Sequence, residues 1–405
     1  MYNLSNHYEN IYRYLRTIIT DPRVLYLHPF GSTQPENIEI IRNDIDPPEV
    51  RGPLFIFFDQ EPLNFAYNKN FFDYVKQNTQ GPYVLVNTEL NSAERDLICE
   101  EYGFVDVNYF FHIFAAHDWY RGHEYIPGII NPADRTLKKS FITFNRLTSG
   151  ERIYRSLFIN ELYKNNLLES GHISYSKICP DGGSFDTNLL LGIENQQLDR
   201  ELTNEAITNI SLTPALRIDF TDQDYIPNQS MLLTPLDKLM ESFIFVVTET
   251  CYWQTKTHLT EKIFKPIVLR MPFILVGCVN NLEYLRSYGF KTFGNFWDES
   301  YDTIADPISR MQAVTEILKD ITTMSPEQQK DMLCDMQPIL DHNYNLFNSP
   351  NFIKQEWEYL KSSLKNVAES FYLPPPYQLD VKTKQRIPLT PTPADPIPGT
   401  FVNPV

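Results

Sequence analysis

The sequence predicts an α/β protein with two Rossmann-like domains facing a central cleft, and three observations carry that prediction. Short apolar, β-branched runs alternate with helical patterns along the 405 residues, as in parallel sheets covered by helices. Each apolar run stops abruptly in polar residues, as strands do where they empty into a site. The alternation lapses at 122–139 into Gly, Pro, Asn and charged residues, which divides the elements into two series.

The first series opens with an amphipathic helical pattern over 1–20 and a short strand, Val24 to Leu27. Residues 31–52 are polar and proline-containing and read as a loop. Leu54-Phe55-Ile56-Phe57-Phe58 is apolar throughout, as a strand buried on both faces must be, and ends in Asp59-Gln60-Glu61-Pro62. A helix near 68–78, a strand from Tyr83 to Val86 ending in Asn87-Thr88-Glu89, and a helix over about 92–102 follow. In FFHIFAAHDWYR, His112 and His117 could share a metal only if they fell on one helical face, and no third ligand is recognisable. The second series begins with the strand Ser140 to Phe144, a turn from Asn145 to Gly150, and a helix over 151–165. Residues 180–232 are weakly periodic and read as a long insertion with short helices. Asp222-Gln223-Asp224 lies in that insertion before Pro227 and reads as a turn rather than a metal-binding pair. Further on, Leu282 to Tyr288 reads as a helix, Gly289 to Phe293 as a short strand, and 307–321, 326–335 and 351–370 as helices. Nine prolines between Pro374 and Pro404 then predict a polyproline-like tail.

Composition bounds the function. A hydrophobic content of 42% supports packed cores, and 24 tyrosines with 27 phenylalanines suit sugar-stacking surfaces as well as cores. A net charge of −16 argues against a broad surface that tracks nucleic-acid phosphates. Five scattered cysteines without metal-ligand spacing, no signal-like N-terminal apolar run and no apolar span of membrane length predict a cytoplasmic protein. Neither GxGxxG nor GxxxxGKS nor a Ser-His-Asp arrangement occurs, which removes dehydrogenases, P-loop NTPases and ordinary hydrolases.

The chemistry concentrates in Ser242 to Gly277, a strand–loop–helix–strand unit with its polar residues at one end. The run Phe243 to Val247 ends in Thr248-Glu249-Thr250, and Thr260-Glu261-Lys262 starts a helical pattern with Thr260 as its cap. A lysine in a first turn opposes the helix dipole, so it makes sense there if an anion is bound. Capping chemistry and a solvated Glu-Lys face are the plainer reading of the same three residues. Glu249, the spacer, Leu259 to Lys262 and the later Pro-Phe-Ile-Leu-Val-Gly together resemble the donor-binding signature of GT-B glycosyltransferases, closest to the α1,3-fucosyltransferase-like and exostosin-like groups. The TEK, PFI, GFKTF and DESYD blocks also resemble glycosyltransferase-like proteins of large-genome phages.

The resemblance covers roughly the second half of the chain and implies a metal-independent, inverting transfer of sugar from a nucleotide-diphosphate donor to a hydroxyl acceptor, with no cofactor. It implies an acceptor-side domain at 1–130, a nucleotide-sugar domain at 140–350, a helix at 351–372 packing back, and the tail at 373–405. The Glu261-Lys262 pair would hold ribose and diphosphate, with Glu249 an alternative partner for sugar hydroxyls. An arginine at the mouth of the 140–165 unit would clamp phosphate; spacing favours Arg152, with Arg146 its alternative. Tyr252, Trp253 and His258 are candidates for the base or sugar. FFDQEP resembles the strand-then-Glu-Ser-Pro block of α1,3-fucosyltransferases, with Gln-Glu-Pro in place of Glu-Ser-Pro; this makes Glu61 the candidate base and Asp59 its competitor. Two other readings stay open: glycosylation of a modified DNA base, placing a phage enzyme in its host's cytoplasm but disfavoured by the acidic charge, and a catalytically silent sugar- or nucleotide-binding structural protein.

Overall fold

The computed structural model describes residues 4–19, 22–27, 38–41, 52–120, 134–216, 218, 235–372, 377–379 and 386–388. The first half contains α1 (His7–Ile18), β1 (Arg23–Leu27), β2 (Ile38–Ile41), β3 (Leu54–Phe57), α2 (Phe65–Asn78), β4 (Tyr83–Asn87), α3 (Ala93–Tyr102), β5 (Val105–Asn108) and α4 (Phe111–Trp119). The second begins with β6 (Lys139–Asn145), α5 (Tyr154–Lys164), β7 (Gly171–Tyr175), α6 (Phe185–Asn195), α7 (Arg200–Leu212), α8 (Leu236–Met240) and β8 (Ser242–Thr248). It continues through α9 (Phe264–Val268), β9 (Phe273–Val276), α10 (Asn281–Ser287), α11 (Pro307–Thr322), α12 (Pro326–Asp335), α13 (Gln337–Phe347) and α14 (Pro350–Tyr372). Two three-residue strands, β10 (Tyr377–Leu379) and β11 (Arg386–Pro388), pair antiparallel within the proline-rich tail.

Both sheets have four parallel strands, as the alternation of strands and helices predicts. The first has the order β2-β1-β3-β4-β5, with β2 added antiparallel inside the stretch read as a loop. The second has the order β7-β6-β8-β9. Central strands β3, β4 and β8 are buried along their whole length. In a parallel sheet with both faces covered, side chains of either parity enter a core, so no polar alternation survives.

Helix α4 joins the two halves. Phe110, Ile113, Ala116 and Tyr120 enter the core of the second sheet, whereas Phe111, Phe114 and Ala115 enter the core of the first. A helix apolar all round must be buried all round. His112 and His117 therefore point to different surroundings: His112 towards Glu261 at 3.3 Å, and His117 stacked on Phe347 with centroids 4.2 Å apart. They do not form a metal pair. Helix α14 bridges in the same way, with Phe352 in the second core and Leu360, Leu364 and Ala368 in the first. The buried Glu356 carboxylate on α14 accepts the Phe110 N–H at 2.7 Å and so satisfies an amide at the start of α4; burial pushes its pKa up to about 7.

Three sequence expectations are corrected. Gly289 to Phe293 forms no strand. Its backbone is met instead by a side chain, with Lys291 N–H donating to Asn343 Oδ1 and Asn343 Nδ2 donating to Lys291 O, each at 2.8 Å. The weakly periodic insertion contains two full helices, α6 and α7, packed on each other and on the turn and helix after β6. The helix expected from Thr260 is a single 3₁₀ turn, Glu261–Ile263, followed by the five residues of α9. That is too short for a macrodipole of consequence. Asp222 and Asp224 lie outside the described residues. No helix among the described residues is long and apolar enough to cross a membrane.

Candidate functional site

The carboxyl ends of the two sheets meet along a seam made by three loops: 58–64 after β3, 88–92 after β4, and 249–260 after β8. The last of these reaches into the first half of the chain. Leu90 N–H donates to Thr257 O at 3.0 Å and Thr257 N–H to Leu90 O at 2.8 Å, a short antiparallel bridge. Beside it Lys256 Nζ sits 2.8 Å from Glu89 Oε1 and donates to Leu63 O at 2.6 Å. Lys256 is 2% exposed and Glu89 fully buried. Burial pulls the Lys256 ammonium down, but Glu89 facing it more than offsets this and leaves it raised. Glu89 is completed by Leu63 N–H at 2.8 Å and Ser92 Oγ at 2.5 Å. Two charges removed from water are tolerated only when paired and hydrogen-bonded, and here Lys256 Nζ has two acceptors and both Glu89 oxygens have donors.

At the root of loop 249–260, Glu249 is fully buried. Its oxygens accept Thr260 Oγ1 at 2.5 Å, Thr260 N–H at 3.2 Å and Thr250 N–H at 3.3 Å. The Glu249 carboxylate therefore closes the loop on itself and is not offered to a sugar, which corrects one expected role. A Cβ on Gly277, at the end of β9, would fall 2.7 Å from Asn281 Nδ2 and 3.4 Å from Glu249, so a glycine is needed for these groups to approach. Arg155, buried within α5, ties the neighbouring loops together: Nη1 donates to Leu147 O at 3.0 Å, and Nη2 to Thr248 O at 2.9 Å and Glu249 O at 3.0 Å. Sequence reasoning passed over it, although an arginine inside Ile153-Tyr154-Arg155-Ser156-Leu157-Phe158 falls on a helix buried on every side.

Lys262 is partly exposed in the 3₁₀ turn Glu261–Ile263. Its side chain is 31% exposed, and Nζ rests on Thr250 Oγ1 at 3.2 Å, Thr260 Oγ1 at 3.1 Å and Glu261 Oε1 at 3.1 Å. Glu261 is 7% exposed. Burial pushes its carboxyl up, but Lys262 and His112 outweigh it and hold the group well below the usual carboxylate range. Thr260, 2% exposed, takes the capping position and accepts Lys262 N–H at 3.4 Å.

Across the seam, Glu61 is exposed and its Oε2 lies 3.8 Å from Arg152 Nη2. Arg152 occupies the 3₁₀ turn Gly150–Ile153 before α5, and the loop after β8 buttresses that turn through Trp253 Nε1 donating to Glu151 O at 3.0 Å. The structure thus brings Glu61 to Arg152, and gathers Thr260, Glu261 and Lys262 with Glu249 beneath them. Arg146 directly follows β6 and is half-buried.

The other candidates are withdrawn from solvent. Asp59 is 1% exposed. It accepts the Tyr8 hydroxyl at 2.7 Å and the Tyr109 hydroxyl on its other oxygen, and burial raises its pKa to about 6. Tyr252 is buried in a stack on Tyr154 with centroids 4.2 Å apart, its hydroxyl donating to Pro307 O at 2.5 Å. His258 is fully buried. Neither Tyr252 nor His258 can stack on a ligand; of the three loop candidates only Trp253 is partly exposed. A strand-end position is solvated only where no neighbouring loop covers it, and sequence alone does not say which loops do. No group of three or more His, Cys, Asp or Glu suited to a metal ion occurs among the described residues. No protein-family model matches the sequence, and no curated protein matches it.

Proposed function

We propose that this chain is a GT-B-type glycosyltransferase that moves a sugar from a nucleoside-diphosphate donor to a hydroxyl acceptor with inversion. One observation carries the reading: an exposed strand-end carboxylate of the first sheet, Glu61, faces a cationic turn of the second sheet, Arg152, at 3.8 Å. Glu61 takes the proton from the acceptor hydroxyl as that oxygen bonds to the anomeric carbon. The bond from that carbon to the diphosphate oxygen breaks, and its electron pair stays with the leaving group. Lys262 and Arg152 neutralise the charge that develops there. Once Arg152 is engaged by phosphate, Glu61 is released towards the acceptor. Glu261, held at the same loop root, is assigned to the ribose hydroxyls.

The reading is tested with a panel of nucleotide sugars, first for thermal stabilisation and then for release of the nucleoside diphosphate in the presence of mixed hydroxyl acceptors. The expected result is stabilisation by one nucleotide class together with acceptor-dependent release. Stabilisation with no release under any acceptor would instead support a silent binding protein. No stabilisation by any nucleotide sugar would overturn the reading.

A further inference from the structure

The two oxygens of Glu261 are approached from opposite halves of the chain. Lys262 Nζ is 3.1 Å from Oε1. His112 Nδ1, on α4, is 3.3 Å from Oε2, a buried nitrogen with no hydrogen-bond partner of its own that closes on this oxygen at ion-pair distance. The packing that delivers His112 is specific. Helix α4 lies against the 3₁₀ turn that carries Glu261, and Tyr120, one residue past its end, donates its hydroxyl to Glu261 O at 3.3 Å. His112 is 4% exposed, and its ring meets His258 edge-on at 5.6 Å. Burial, and then the neighbouring His112, Lys256 and Lys262, hold the pKa of His258 well below the ordinary value. A carboxylate oxygen has two lone pairs, so each oxygen of Glu261, once held by its partner, can accept one more hydrogen bond.

We propose that His112 is a positioning residue that fixes the Glu261 carboxylate, with Lys262 on its other oxygen, to receive the ribose hydroxyls of a bound nucleoside diphosphate. The inference rests on the donor-binding reading above and extends it: the half of the chain that carries the candidate base also sets the orientation of the ribose-binding carboxylate. A carboxylate left with one partner would rotate about its terminal torsion, which is broad and has no steep wells, and the ribose contact would be lost while the phosphate contacts remained.

The test is the preference for ribose over 2′,3′-dideoxyribose, measured by calorimetric titration of UDP, GDP, ADP and CDP and of their dideoxy forms. The full-length wild type is expected to bind one nucleotide class with about a tenfold or greater preference for the ribo form, the size of a lost charge-assisted hydrogen bond. His112→Leu is expected to reduce that preference to about twofold or less, with weakening of the dideoxy form under threefold. His112→Asn, which places an amide nitrogen near the Nδ1 position, is expected to restore most of the preference. His112→Gln, whose amide reaches the Nε2 position instead, is not. A general packing defect would weaken ribo and dideoxy forms together and leave their ratio alone. Should His112→Leu fail to fold, the Asn and Gln pair decides. Equal ratios in those two, or an unaltered ratio in His112→Leu, overturn the role of His112 and leave the donor reading standing. A wild type that binds the nucleotide without any ribose preference removes Glu261 from the ribose and His112 with it. A wild type that binds none of the four nucleotides overturns the donor reading itself, and the inference falls with it.

Discussion

Four carboxylates follow the parallel strands that meet at the seam, and they divide into an inner set and an outer one. Asp59, Glu89 and Glu249 are buried, and each is enclosed by partners from its surroundings: tyrosine hydroxyls, a lysine ammonium, or the hydroxyl and amides of a loop. Glu61 is exposed and has a distant arginine for company. All four look alike in sequence, an acidic residue just past an apolar run. The difference lies in what covers them. Loop 249–260 lies across the end of β4 through the Leu90–Thr257 bridge, and the side chains of α1 and of the segment after β5 cover Asp59. An acidic residue enclosed in this way holds the backbone in place, whereas one left at the rim can exchange a proton with a ligand.

The comparison can be broken or sharpened by four measurements. The largest effect is expected from Glu61→Gln, which keeps shape and removes proton acceptance. Transfer should fall roughly 10²–10⁴-fold, with melting temperature and donor affinity near wild type. A stable, donor-binding variant that turns over normally would remove Glu61 from the mechanism. Next is Lys256→Met, which leaves Glu89 buried without its cation. It should cost about 3–5 kcal/mol in denaturant unfolding, and adding Glu89→Leu should recover a large part of that loss. A loss under about 1 kcal/mol would mean the seam opens readily and that Glu89 belongs with the outer set.

Asp59 gives a pH signature. Its carboxyl is raised from 3.8 to about 6 in the folded state. Its contribution is therefore fully present below about pH 4 and is lost as pH rises through 6. At roughly 1.4 kcal/mol per unit, the wild type should lose roughly 2.4 kcal/mol relative to Asp59→Asn between pH 4 and pH 7. The difference between the two stability curves isolates this residue from the other titrating groups, and parallel curves would contradict the assignment. The smallest effect is assigned to Lys262→Ala. Nucleotide-sugar affinity should weaken by about 1.5–3 kcal/mol, and the ligand-free melting temperature should fall as well, because buried Glu261 loses the contact that offsets its burial. Unchanged donor affinity would detach Lys262 from the diphosphate.

Much of this architecture was legible in the sequence because central parallel strands announce themselves. Leu54 to Phe57 and Phe243 to Val247 are unbroken apolar runs bounded by polar residues. Edge strands give a weaker signal. In β5 only Val107 is buried, and β7 begins Gly171-His172, so both were passed over. Helix α4 was missed for the opposite reason: it serves two cores and shows no polar face from which a period could be read. At the candidate site, Glu61, Arg152, Glu261 and Lys262 are legible as candidates because charge at a strand end or turn is visible locally. The roles of Lys256, Arg155 and His112 are not, since Lys256 finds Glu89 and His112 finds Glu261 more than a hundred residues away in the chain. Nothing in Thr-Lys-Thr-His announces that its lysine is buried. Tyr252 and His258 read as candidates for ligand contact because loops are usually exposed; this loop is packed against the other half of the molecule.

Helix α4 also bears on how the molecule comes apart. With alternate sides committed to two cores, it cannot be assigned to either without leaving the other with a hole where Phe110 and Ile113, or Phe111 and Phe114, had been. Helix α14 repeats the arrangement at the other end of the chain. Cooperativity is therefore expected to span both sheets: calorimetry of the intact chain should show one merged transition rather than two independent ones. Separately expressed halves cut between 121 and 133 should be insoluble alone and recover structure only when refolded together.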